Sequence, residues 1–121
     1  MKFTNGYWLT RPEYEMLYAC ELHRVERRGN GLHVLATTSR TGGDRGALIN
    51  ASTLTVNLSA PMPNVIRVEV LHHAGAAKRG PTFPIHTSAV APEFEEDGDG
   101  FSFSSGSLTA RFSKGEWKLS F

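Results

Sequence analysis

The feature that most constrains this chain is a recurring alternation of apolar and polar residues with a period of two. Such a period places successive side chains on opposite faces of an extended strand. Leu54, Val56 and Leu58 alternate with Thr53, Thr55, Asn57 and Ser59, giving one face for a core and one for water. Two prolines in Ala60-Pro61-Met62-Pro63-Asn64 remove two backbone donors and predict a break in pairing, after which Val65 to Leu71 resumes as an antiparallel neighbour. Upstream, Val25 to Arg28 and Leu32 to Leu35 flank Gly29-Asn30-Gly31, a sequence suited to a tight reversal and hence a hairpin. Near the end, three short alternating runs (Phe101 and Phe103; Leu108, Ala110 and Phe112; Trp117, Leu119 and Phe121) are broken at Ser105-Gly106 and Lys114-Gly115, as in a strand meander.

The predicted fold is all-β. It is an antiparallel β-sandwich of about seven to nine strands, because turn signals recur at roughly ten-residue spacing and no βαβ pattern appears. One segment is ambiguous. Thr10, Pro12 and Glu13 resemble a capped helix start, and Tyr14, Leu17 and Tyr18 share a helical face, which leaves room for one short helix near residues 11–18. Met16, Tyr18, Cys20 and Leu22 also alternate, however, and this supports a strand from about Leu17.

At 121 residues and 40% hydrophobic content, a single domain spanning 1–121 with one core is expected. Thirteen basic against twelve acidic residues leave a net charge of +1, too little to gather nucleic acid or anionic lipid by field alone. No apolar stretch reaches the roughly 20 residues needed to span a bilayer. A lone Cys20 excludes an internal disulfide, and with no signal-peptide pattern at the start the expected location is cytoplasmic. Asn50-Ala51-Ser52 and Asn57-Leu58-Ser59 then read as chance sequons.

The chemistry-bearing residues do not assemble into a recognisable centre. His72 and His73 point to opposite faces of a strand, and His23, His33 and His86 have no ligand partner at short spacing, so no metal site is expected. Cys20 lies among apolar residues, where a thiol is usually inert. The acidic run Glu93, Glu95, Glu96, Asp97 and Asp99 fails the calcium-loop spacing, because Gly106 stands where the closing glutamate belongs. As an exposed series of carboxylates it reads as a solvated turn rather than a catalytic pair. Gly29-Asn30-Gly31 and Gly42-Gly43-Asp44-Arg45-Gly46 complete no nucleotide fingerprint and read as turns, so no cofactor is expected. Tyr7, Trp8 and Trp117 are the candidate contacts, either stacking on sugar rings or packing at an interface.

An ordered series of short segments then carries a resemblance. Met1-Lys2-Phe3-Thr4-Asn5-Gly6-Tyr7-Trp8-Leu9 with Arg11-Pro12, Leu54-Thr55-Val56, Ser59-Ala60-Pro61 and Val65-Ile66-Arg67-Val68-Glu69 with His72 come first. Gly80-Pro81, Ser105-Gly106-Ser107-Leu108 with Ala110-Arg111, and Ser113-Lys114-Gly115-Glu116-Trp117-Lys118-Leu119 follow. In this order they resemble the N-terminal domain of bacterial α-xylosidases of glycoside hydrolase family 31. Arg40 to Asn50 and the histidine pair match the pattern poorly.

The resemblance implies a β-sandwich that precedes and packs against a (β/α)8 barrel, in a parent enzyme that releases α-linked xylose with retention. A retaining mechanism needs two carboxyl groups about 5 Å apart. In such enzymes both lie in the barrel, and no position here matches them, so no catalytic residue is carried over. The expected role is non-catalytic: packing on the barrel, shaping the pocket rim and joining subunits of a homo-oligomer. Trp117, Leu119 and Phe121 end the sequence on an alternating apolar face, which predicts a continuation of the chain and self-association when that edge is bare. The alternatives are an independent carbohydrate-binding module using Tyr7, Trp8 or Trp117, and a small stand-alone enzyme using the acidic run.

Overall fold

A computed structural model describes residues 4, 9–42, 45–71, 83, 86–88 and 90–121. Among these residues the chain forms eight strands and one six-residue helix, arranged as two four-stranded antiparallel sheets that face each other across one core. The all-β sandwich expected from the alternation is the fold observed.

The first sheet has the order β1-β2-β3-β4, with β1 Glu21–Arg28, β2 Gly31–Thr37, β3 Thr53–Met62 and β4 Val65–Leu71. β1 and β2 close through the two-residue loop Gly29-Asn30, since Arg28 pairs with Gly31. Gly29 takes φ 58 there, a left-handed conformation that glycine adopts without a Cβ penalty. β2 and β3 pair in unbroken register from Gly31↔Ser59 to Thr37↔Thr53, which sets Leu32 beside Leu58 and Val34 beside Val56 on the inner face. The second sheet is a meander, β5-β6-β7-β8, with β5 Glu93–Glu96, β6 Gly100–Ser105, β7 Leu108–Ser113 and β8 Leu119–Ser120.

Leu32, Val34, Val56, Leu58 and Ala60 from the first sheet meet Phe103, Ala110 and Phe112 from the second, all buried. Full burial of each larger aliphatic or aromatic side chain stabilises the fold by roughly 1.5–3 kcal/mol. Leu22, Val25, Ile66, Phe94, Phe101, Trp117 and Leu119 pack around this cluster and are only partly buried.

Two polar ties fix how the sheets cross. At one corner, Asn64 in the β3–β4 turn (φ 60) accepts hydrogen bonds at Oδ1 from the Ser107 backbone N–H (2.7 Å) and hydroxyl (3.0 Å), while Ser105 Oγ donates to the Met62 carbonyl at 3.0 Å. Gly106 lies against this tie with φ 59, and a Cβ there would fall 2.2 Å from Asn64 Oδ1. At the opposite corner, Leu22 N–H donates to the Gly115 carbonyl (3.0 Å) and Trp117 N–H to the Cys20 carbonyl (2.9 Å). The second sheet therefore runs from the β3–β4 turn to the start of β1.

Four local expectations are corrected. Residues 11–18 form no helix: a single turn at Pro12-Glu13 has Tyr14 N–H donating to the Arg11 carbonyl at 3.0 Å, and Leu17 and Tyr18 on the supposed apolar face are exposed. A short helix needs a buried face to hold it, and none is offered here. The strand predicted from Leu17 begins instead at Glu21, and a register shift between Leu22 and Arg24 leaves His23 as the extra residue of a bulge. The glycine-rich stretch near 42–46 leads into a helix, α1 Arg45–Asn50, whose exit is marked by Ala51 N–H donating to the Ala47 carbonyl at 3.0 Å. Finally, Ala60-Pro61 does not end its strand. Pairing shifts between Ser59↔Arg67 and Met62↔Val65, so Pro61 sits in a bulge and the turn falls at Pro63-Asn64.

Candidate functional surface

The predicted contact residues do not come together as a platform. Tyr7 and Trp8 lie outside the described residues. Trp117 is half-buried, its ring 5.7 Å from that of Phe112 and tilted by 59°, so it serves the packing between sheet and edge. Beside it, Met16, Leu17, Tyr18, Cys20 and Thr38 line an open concavity of about 420 Å³. Cys20 is a free, half-buried thiol whose backbone is the part in use, donating to the Thr37 carbonyl at 2.7 Å.

The acidic run is a turn. Asp97 Oδ1 accepts from the backbone N–H groups of Asp99 (2.8 Å) and Gly100 (2.7 Å), which hold its carboxyl below the usual carboxylate range. Lys114 ties the same hairpin down, donating to the Asp97 carbonyl at 2.6 Å and pairing with Glu96 at 3.1 Å. Glu21 is likewise committed, accepting from the Thr41 backbone N–H (2.6 Å) and hydroxyl (2.9 Å), and its pKa is lowered first by that backbone bond. These carboxylates shape loops.

Of the histidines, His23 and His86 are exposed, and His72 and His73 lie outside the described residues. Among the described histidines, His33 alone belongs to an ordered polar arrangement. Strand register places Glu26, His33, Asn57 and Glu69 in one transverse row on the outer face of the first sheet. His33 Nδ1 lies 2.8 Å from Asn57 Oδ1, and Asn57 Nδ2 donates to Glu69 Oε2 at 3.5 Å. With the Asn57 amide oriented toward Glu69, the proton of neutral His33 is assigned to Nδ1.

Both ends of the row carry ion pairs. Glu26 pairs with Arg24 (2.5 Å) and Arg28 (2.8 Å), and Glu69 pairs with Arg67 (2.9 Å). The Arg28 hydrogen bond is the main cause of a lowered Glu26 pKa. A carboxyl held ionised in this way is unsuited to act as a general acid, which needs a raised pKa. Beside the row, Arg28, Gly31, His33, Thr55, Asn57 and Leu71 border an open concavity of about 510 Å³. Hydrogen bonds and ion pairs link these side chains along the row, so the face presents an ordered polar surface.

This row was not among the sequence candidates, although Arg24-Val25-Glu26-Arg27-Arg28 and Arg67-Val68-Glu69 carry its signal. Opposite charges two residues apart share a face of a strand.

The fold and surface thus define an antiparallel β-sandwich unit with an ion-paired outer face. No protein-family model matches the chain. Among curated proteins it is 35% identical over 108 residues to α-xylosidase XylQ of Lactiplantibacillus pentosus, and 29% identical over 109 residues to an α-xylosidase of Emericella nidulans. Each match covers 89% of this chain and 14% of the relative. The resemblance to α-xylosidases read from the ordered segments is borne out, and the chain spans about a seventh of the length of those enzymes.

Proposed function

We propose that the chain is the non-catalytic N-terminal β-sandwich portion of an α-xylosidase-like glycoside hydrolase of family 31, cytoplasmic, whose catalytic barrel lies elsewhere in a longer parent. The observation that carries this reading is the match along 89% of this chain to only 14% of two α-xylosidases. The employment of Glu21, Glu26, Glu69, Glu96 and Asp97 in loops and ion pairs supports it, because retaining hydrolysis requires one carboxyl poised as acid and one as nucleophile. The parent releases α-linked xylose with retention, and this portion packs on the barrel and contributes to the pocket rim and to contacts within a homo-oligomer.

The test compares the 121-residue chain with its longer parent on an aryl α-xyloside. Turnover by the parent and none by the chain is expected. Turnover by the chain alone that disappears in Asp97→Asn or Asp99→Asn would replace the proposal with a stand-alone enzyme. Affinity of the chain for xylose-containing oligosaccharides would favour a carbohydrate-binding module, a reading that the packing of Trp117 on Phe112 does not assist.

A further inference from the structure

The outer face of the first sheet carries a second transverse row beside Glu26, His33, Asn57 and Glu69. One step toward the β1–β2 and β3–β4 turns, strand register aligns Arg28, Gly31, Ser59 and Arg67. Residues two apart on a strand share a face, so both rows lie on one surface. The arginines and glutamates stand on the edge strands β1 and β4, and the other residues on the central strands β2 and β3. Charge alternates between the rows, with arginine at both ends of one and glutamate at both ends of the other. Bulk alternates as well, small Gly31 and Ser59 standing beside larger His33 and Asn57. A Cβ at Gly31 would fall 2.8 Å from the Leu58 carbonyl oxygen, so this hollow is fixed by the backbone.

This pattern is its own complement. A two-fold axis lying in the plane of the face, parallel to the rows and midway between them, reverses the strand direction and exchanges the rows. Each residue then meets the residue of the other row on the same strand of a second copy. Arg28 comes over Glu26 of that copy and Arg67 over its Glu69, each pair occurring twice by symmetry. Between them His33 comes over Gly31 and Asn57 over Ser59, a larger side chain against a smaller one on both central strands. The arginines have donors to give. Among the described residues Arg28 uses Nε and Nη2 for Glu26, and Arg67 uses Nη2 for Glu69, out of five N–H groups on each guanidinium. Their side chains are 64% and 63% exposed, so this end of the face is open.

We propose that the outer face of the first sheet docks a second copy of this chain about that two-fold, with Arg28 and Arg67 of each copy on Glu26 and Glu69 of the other. The inference rests on the reading of this chain as a portion that joins subunits of a longer enzyme, and it adds the surface and its symmetry. A second copy is the fitting occupant because one axis matches charge on β1 and β4 and bulk on β2 and β3 at the same time. Face-to-face sheets pack with their strands nearly aligned, which this axis provides. Charged groups at the margin and none in the middle also follow the usual division of an interface into core and rim. Four cross-copy ion pairs in a solvated rim are each worth little, so the association is weak and falls as salt is added.

Sedimentation equilibrium of the 121-residue chain, at low and high ionic strength and with two sets of substitutions, tests the face. Arg28→Glu with Arg67→Glu makes all four charged positions acidic. Adding Glu26→Arg and Glu69→Arg restores the pattern with its rows exchanged, so the fourfold variant complements itself and not the wild type. The expected result is a monomer–dimer equilibrium in the wild type that weakens as salt rises from about 0.05 to about 0.5 M. The dissociation constant should rise at least about tenfold in the double variant and recover in the fourfold variant. Labelled fourfold variant mixed with wild type should form no heterodimer.

A wild type that stays monomeric throughout would overturn the proposal, and so would a double variant that dimerises as well as the wild type, since the copies would then meet elsewhere. No recovery in a fourfold variant whose urea midpoint matches the wild type, or its free mixing with the wild type, would rule out the two-fold. If the double variant has a lowered urea midpoint, Ser59→Tyr replaces it. This change keeps every charge and sets a ring where Asn57 of the second copy comes to lie, and the proposal stands only if it abolishes the dimer. A monomeric parent in which Arg28 and Arg67 resist a dicarbonyl reagent would give the face to another part of the parent. A parent that hydrolyses no α-xyloside, beside a 121-residue chain that dimerises as expected, would sink the functional reading and leave the face intact.

Discussion

At the scale of single residues, the contact between Asn64 and Gly106 leaves no room for a side chain. Gly106→Ala places a methyl group where Asn64 Oδ1 now sits, at a φ that β-carbons disfavour, so a loss of about 1–3 kcal/mol is expected in a denaturant titration. Asn64→Ala removes the acceptor of both Ser107 hydrogen bonds and should cost about 1–2 kcal/mol. If each variant unfolds at the wild-type midpoint, the sheets are not held by this tie. Acid provides a second probe. Glu21 and Asp97 have folded-state pKa values below their ordinary ones, so each contributes stability in full above the ordinary carboxylate range and loses it as the pH falls through its folded value. Stability should therefore decline below about pH 4 to 4.5. In Asp97→Asn the decline should be shallower, because a group that cannot titrate drops out of the slope; urea midpoints measured across that range decide it.

At the scale of elements, most strands were legible because alternation is a local signal that burial then rewards. The run from Thr53 to Ser59 faces as its sequence demands, and Gly29-Asn30 reverses the chain where it should. What escaped was decided by distant partners. Pro61 reads as a terminator, but a proline in a bulge gives up a donor that the ladder does not use there, so β3 continues to Met62. The Thr10 to Glu13 pattern carries a helix-start signal, yet the residues after it find no surface to bury an apolar stripe, and α1 forms instead after the glycine-rich stretch. The polar row on the outer face needed the register of four strands before Glu26, His33, Asn57 and Glu69 could be seen as one feature. The contrast within β3 and β4 is open to measurement. Leu58→Ala, at a fully buried site, should destabilise the chain by about 2–5 kcal/mol, whereas Val70→Ala, opposite Val56 on the same inner face but 60% exposed, should cost well under half as much. Equal costs would show that Val70 is buried in the isolated chain.

At the scale of the whole molecule, neither sheet has a core of its own among the described residues. The buried cluster draws Leu32, Val34, Val56, Leu58 and Ala60 from one layer and Phe103, Ala110 and Phe112 from the other, so each layer buries its apolar face only against its partner. A four-stranded sheet stripped of that partner would expose its inner face to water, at about 25 cal/mol for each Å² of apolar surface uncovered. The two layers should accordingly unfold together as one cooperative unit. Two reporters distinguish the layers: the ring resonances of His33, on the outer face of the first sheet, and the fluorescence of Trp117, at the edge of the second, read in a Trp8→Phe background. Their urea transitions should coincide. Phe103→Ala, which removes a large buried side chain between the layers, should move both to lower urea together and cost about 3–5 kcal/mol. Separate midpoints, or a Phe103→Ala shift seen by Trp117 and not by His33, would mean that the first sheet stands without the second.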